Sequence, residues 1–172
     1  MPGNPALSGA IHDLQARLGS IRIAVTAVAG LDLDEETRRD MLTDASDEAA
    51  RASAELAAVS ALATCLLDDS MPQPCDLAAA VDTAAATARL ASLDVQVDGA
   101  TTRAVELSTV RVAVVFPALL RLAAGAGKFA AVTISEDGLT FRGSETDPLP
   151  PIAGYLVDAL AAPFAITFGA SV

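Results

Sequence analysis

The chain holds a single histidine, His12, and this is its residue best suited to covalent chemistry. An imidazole acting as a nucleophile needs one ring nitrogen neutral and exposed. The other must be hydrogen-bonded, which fixes the tautomer and raises basicity. Asp13 follows directly and is a candidate for that orienting part, although adjacent residues on a helix do not point the same way. At helical spacing Ser8, Gln15, Ala16 and Gly19 share the His12 face, and their modest size lets a partner surface approach the ring. Arg17 and Arg22 lie about one and three turns further on and are candidates for contacting phosphate or acidic groups of a partner. A solvated face paired with nearby acids accounts for them equally well. A lone exposed histidine is most often an ordinary surface residue, so His12 by itself assigns no function.

Two long helices have to position these residues. Apolar positions Leu7, Ile11, Leu14, Leu18, Ile21, Val25 and Val28 alternate steps of four and three, a heptad seam. Gly30 ends that helix as a left-handed C-cap. Leu31–Asp34 is a turn, and Asp34 is the expected N-cap of a second helix over Glu35–Leu67, with Glu35 and Glu36 at the positive end of its dipole. Its seam reads Leu42, Ala45, Ala49, Ala52, Leu56, Val59, Ala63 and Leu66. A short loop between long helices predicts an antiparallel hairpin. One hairpin cannot bury both seams, whereas two can as a four-helix bundle, so a homodimer is expected. On the polar faces Arg39 is expected to pair with Glu35, and Asp44, Asp47 and Glu48 to form a solvated face.

Asp68–Pro74 reads as a linker, dividing a helical hairpin domain over 1–70 from a second domain over 71–172. Asp76 caps a helix over Leu77–Ala91. Val95–Val97 and Arg103–Leu107 read as strands, and Thr109–Ala124 as a helix that Pro117 should kink. Phe129–Ser135 and Leu139–Arg142 form a hairpin through Glu136-Asp137-Gly138. Pro150–Leu160 is a last helix and Phe164–Phe168 a last strand. The fold class is thus mainly α with an α+β second domain.

Composition narrows the function classes. Lys plus Arg number 11 against 22 Asp plus Glu, a net charge of -11, and aromatics make up 3%. Such a chain is repelled by nucleic-acid phosphates and anionic lipid and lacks rings for base stacking. Mean hydropathy is +0.45. The apolar stretches around Leu56–Leu67 and Val112–Ala126 read as too short or too interrupted to span a membrane, and Met1–Ala10 lacks the pattern of a secretory signal. A cytoplasmic location is the expectation, with the surplus apolar surface covered in an oligomer. Cys65 and Cys75 form no metal set and are expected to pack as small apolar residues.

Ile11-His12-Asp13-Leu14, early in a heptad hairpin, resembles the H-box of the histidine kinase dimerisation and phosphotransfer domain. The hairpin length, the polar start of the second helix and the Pro74-Cys75-Asp76-Leu77 linker end follow the same pattern. The rest resembles, in order of elements, that family's ATP-binding α/β sandwich. The departures matter. The basic residue and proline that continue the H-box are replaced by Gln15 and Arg17. Phe116-Pro117-Ala118-Leu119-Leu120-Arg121-Leu122, in the place of the N-box, has no asparagine, and Gly143–Pro151 is too short for a glycine-rich ATP lid. The chain is therefore similar to the ChpT-like histidine phosphotransferases, kinase-like dimers with a degenerate ATP-binding domain. The resemblance implies a relay in a two-component phosphorelay. A phospho-aspartate of one response-regulator receiver domain would pass its phosphoryl group to His12, and His12 would pass it to another. Receivers, and a hybrid histidine kinase, would be the partners. The chain would bind no cofactor of its own, and magnesium would come from the receiver. The alternative is a non-catalytic dimeric adaptor, a pseudo-histidine-kinase that binds and regulates a kinase or response regulator.

Overall fold

In the computed structural model, residues 5–99, 103–144 and 150–170 are described. Helix α1 spans Pro5–Gly30, with the proline at the first helical position, where its missing N–H costs no hydrogen bond. The helix ends at Gly30 as the heptads predict. Its φ is not positive, however, so the expected left-handed cap is absent; Leu31 N instead continues the helical pattern to Ala27 O at 3.0 Å. Asp34 caps α2 (Glu35–Leu67), its carboxylate accepting from Thr37 N and Thr37 Oγ1, each at 2.8 Å. The ion pair in the first turn of α2 joins Glu35 to Arg38 at 3.5 Å rather than to the expected Arg39.

The seams divide by heptad position. Leu14, Ile21 and Val28 are half-buried between α1 and α2, while Ile11, Leu18 and Val25 are 45–53% exposed. On α2, Ala45 and Ala52 are buried, whereas Leu42 and Leu56 are 47% and 53% exposed. Over Ile11–Val28 and Leu42–Leu56 each helix thus spends one heptad line on its own hairpin and presents the other outward, whereas Leu66, further along the inner line of α2, is 51% exposed.

The segment expected to be all linker contains a strand. After Asp68, β1 (Gln73–Asp76) pairs antiparallel with β3 (Ala104–Leu107). Pro74 is tolerated because this is a two-stranded edge. Asp76 then caps α3 (Leu77–Leu90), accepting from Ala78 N at 2.9 Å. A four-stranded sheet has the order β2 (Asp94–Asp98), β4 (Phe129–Ile134), β5 (Gly138–Gly143), β6 (Ala165–Ala170). The β2–β4 and β5–β6 pairs are parallel, and β4–β5 is antiparallel. Helix α4 (Thr109–Ala124) carries Pro117 inside it without ending, and α5 (Ile152–Leu160) is the last helix.

Among the described residues the fold is a mixed α+β arrangement of five helices and two small sheets. Helix α4 lies at its centre, packed on α2, α3, α5 and the sheet. One buried cluster runs from Ala54, Ala58, Ala61, Leu62 and Cys65 of α2 through Val115, Phe116 and Leu119 of α4 to Val132 and Phe141 of the sheet. That sandwiched position explains the apolarity of α2. Length and composition alone would suit the whole helix to cross a membrane, although its apolar stretch around Leu56–Leu67 reads as too short by itself. Tight packing of α4 on β5 requires glycine at 143, since a Cβ there would run into the Ala123 carbonyl.

Candidate functional site

His12 lies in the second turn of α1, on the side turned away from α2. Its side chain is 83% exposed. Ser8, Gln15 and Ala16 around it are exposed and Gly19 is half-buried, so the small-residue face expected from helical spacing is present. Asp13 is 58% exposed, with Oδ1 3.7 Å from His12 Nδ1. That is longer than a hydrogen bond. A small rotation of either side chain is needed before the carboxylate can hold the ring. Ile23, 68% exposed, stands on the same face three turns beyond His12. It was not singled out from the sequence because it lies off the heptad seam. An exposed isoleucine on the histidine face is the signal that would have found it.

The two arginines part company. Arg22 is exposed. Arg17 turns toward α2, where Nη1 donates to Glu48 Oε1 at 2.8 Å and Nε to Glu55 Oε1 at 2.9 Å. The structure therefore ties Arg17 to acids of its own chain, though in a part-buried pairing between helices and not on the solvated face that the sequence suggested. Burial opposes its charge, but the hydrogen bond it donates to Glu48 and the neighbouring carboxylates outweigh this and raise its pKa. Glu55 is the acid that burial controls. Its side chain is 6% exposed, and desolvation pushes its carboxyl above the ordinary value despite the opposing pull of Arg17. Glu48, read as part of a solvated face, is drawn inward by Arg17.

A second polar cluster fastens the hairpin to the rest of the chain. Asp68, just past α2, accepts from Ser108 Oγ at 2.6 Å and from Arg111 Nε at 3.0 Å. Arg111 also donates to the Asp68 carbonyl and, through Nη1, to the Ala159 carbonyl of α5, both at 2.9 Å. The Ser108, Ser70 and Arg111 donors hold the Asp68 carboxyl well below the usual carboxylate range. One arginine thereby joins the end of α2, the start of α4 and the end of α5. These partners are some 40 residues apart in the chain, beyond the reach of spacing rules.

Cys65 is buried and Cys75 half-buried, both free, and burial raises both thiols. They are inert packing groups. Phe116, Pro117, Ala118, Leu119 and Leu120 in the middle of α4 are all buried. Of the stretch Gly143–Pro151, residues 145–149 lie outside the described residues. No group of three or more His, Cys, Asp or Glu side chains capable of holding a metal occurs among the described residues. No protein-family model matches the chain, and no curated protein matches it.

Proposed function

We propose that this chain is a homodimeric histidine phosphotransferase that relays a phosphoryl group between receiver-domain aspartates through His12, without binding ATP. The observation that carries the reading is the environment of the one histidine. His12 is 83% exposed on a long helix, with small neighbours on its face and a carboxylate beside it. A phosphoryl relay needs this much from the chain: a nucleophilic nitrogen reachable in line with the phospho-aspartate, and a rigid support that presents it. The aspartyl phosphate loses its phosphoryl group to the imidazole nitrogen, the P–O bond breaking as P–N forms, and the second receiver reverses the exchange. Asp13 takes the proton-bearing nitrogen as its partner, which fixes the tautomer.

The dimer in this reading rests on the outward heptad lines. Ile11, Leu18 and Val25 on α1, with Leu42, the exposed Ala49 and Leu56 on α2, form two antiparallel apolar rows at seven-residue spacing. A second copy related by a twofold axis offers the same rows, and together they close a four-helix bundle. The resulting dimer would carry two His12 rings on its outer surface. The buried, asparagine-free middle of α4 supports the absence of an ATP site. The reading keeps the chain in the cytoplasm, where receivers act, with magnesium brought by the receiver. Phosphotransfer from a phosphorylated receiver to the native chain, and none to His12→Ala, tests it. Receiver binding without transfer would favour the adaptor.

A further inference from the structure

The exposed heptad line occupies one flank of α1 and His12 the outer face. The other flank, turned toward α5, borders a cavity of about 110 Å³. It is lined by Gly9 and Asp13 from the His12 helix, Glu55 from α2, and Pro150, Ile152 and Tyr155 around the start of α5. A water-sized group needs about 10–15 Å³ of such space, so the cavity suits the end of a side chain rather than a nucleotide. Glu55 is 4% exposed, and only Oε1 is engaged, by Arg17. Oε2 is buried with no hydrogen-bond partner. An orphaned buried acceptor of this kind carries an uncompensated desolvation cost.

The local charges are also unbalanced. Arg17 is shared between Glu48 and Glu55, Arg51 also reaches Glu48 at 3.6 Å, and Asp13 adds a third negative charge that acts on Glu55, so three acids face two arginines. The missing component is a cationic donor on an aliphatic stem. The proline, isoleucine and tyrosine walls suit methylenes, and the carboxylates suit an ammonium or guanidinium head.

We propose that this cavity receives a lysine or arginine side chain of the protein that docks on His12, with Glu55 Oε2 and the Asp13 carboxylate accepting from its head group. The inference rests on the phosphotransfer reading for the identity of that protein as a receiver. A receiver seated over His12 covers the cavity, because Gly9 and Asp13 flank His12 on its own helix. The cavity lies on the opposite flank from the dimer rows, so dimerisation leaves it open. It supplies a charge-matched anchor that fixes the receiver's orientation about the reactive nitrogen.

The pocket is testable without any receiver. The full chain is titrated with n-butylammonium chloride, against sodium chloride at equal ionic strength, and followed by amide NMR. Saturable shifts are expected at Gly9, Asp13, Ile152 and Tyr155 in the native protein, with at least tenfold weaker binding in Glu55→Gln. Should that variant fail to fold, Gly9→Leu takes its place with the same expected loss, since a side chain at position 9 starts in open space and fills the cavity. A native protein without localised shifts, or a Glu55→Gln protein that responds as the native does, overturns the pocket. A receiver that loads His12 is then compared on the two proteins. A tenfold or greater rise in KM with Glu55→Gln is expected. An unchanged KM overturns the docking role while leaving the His12 relay intact.

Discussion

Arg17 and Glu55, on facing helices and 38 positions apart, meet through a 2.9 Å hydrogen bond, and the other oxygen of Glu55 has no partner. The pair ties the His12 helix to α2 within two turns of the histidine. It replaces apolar seam packing at that level with charge.

Removing Arg17 leaves Glu55 buried with no counter-ion. Arg17→Ala is therefore expected to lower stability by about 2 kcal/mol, less than a fully buried pair because the arginine is partly exposed. Urea unfolding of the two proteins measures it. A variant as stable as the native chain would mean the pair contributes nothing net.

Glu55 also gives a pH signature. Its folded-state pKa is raised above the ordinary 4.5. Its contribution to stability is therefore fully present below that value and is lost as pH rises through the folded-state pKa. Glu55→Gln cannot ionise, so native stability should fall relative to this variant as pH rises above 4.5. Parallel stability curves would contradict the burial argument.

Asp68 has the opposite sign. Its folded-state pKa is depressed below the ordinary 3.8 by the Ser108, Ser70 and Arg111 donors. The stability it adds is present above 3.8 and is lost as pH falls toward the folded-state value. Asp68→Asn should lower the Tm at neutral pH, and the gap to the native chain should close on acidification. A gap that persists in acid would remove the carboxylate from the role of fastener between the hairpin, α4 and α5.

The outward heptad lines predict a stable homodimer. The native chain should sediment at twice 17.4 kDa. Introducing charge in both rows, Leu18→Glu with Leu56→Glu, should leave a folded monomer or weaken association at least a hundredfold. A native monomer at tens of micromolar would leave the rows unexplained by self-association.

The parts legible in the sequence are those governed by local rules. Asp34, Asp76 and Gly138 mark boundaries that the structure keeps to within a residue or two, because caps and turns depend on neighbours. The seams were legible as periodicity. Their division into an inner and an outer line was not, since both lines have the same residue types. Strand β1 was missed because Pro74 and exposed polar residues give no alternation, and its pairing comes from β3, far along the chain. The inward turn of Arg17 had a faint signal: it falls one turn from Leu14, toward the seam side of its helix, where a charge needs an acid on the facing helix. The Asp68–Ser108–Arg111 cluster had none, being assembled by the fold alone.

The most direct test of the account is the fate of phosphate on His12. Receiver domains loaded with labelled phosphate by their kinases are mixed with the native chain and with His12→Ala, and the label on this chain is followed. The account predicts acid-labile, base-stable label on the native protein, located at His12 by peptide mapping, and none on the variant. Label elsewhere on the chain, or equal label on His12→Ala, would contradict it.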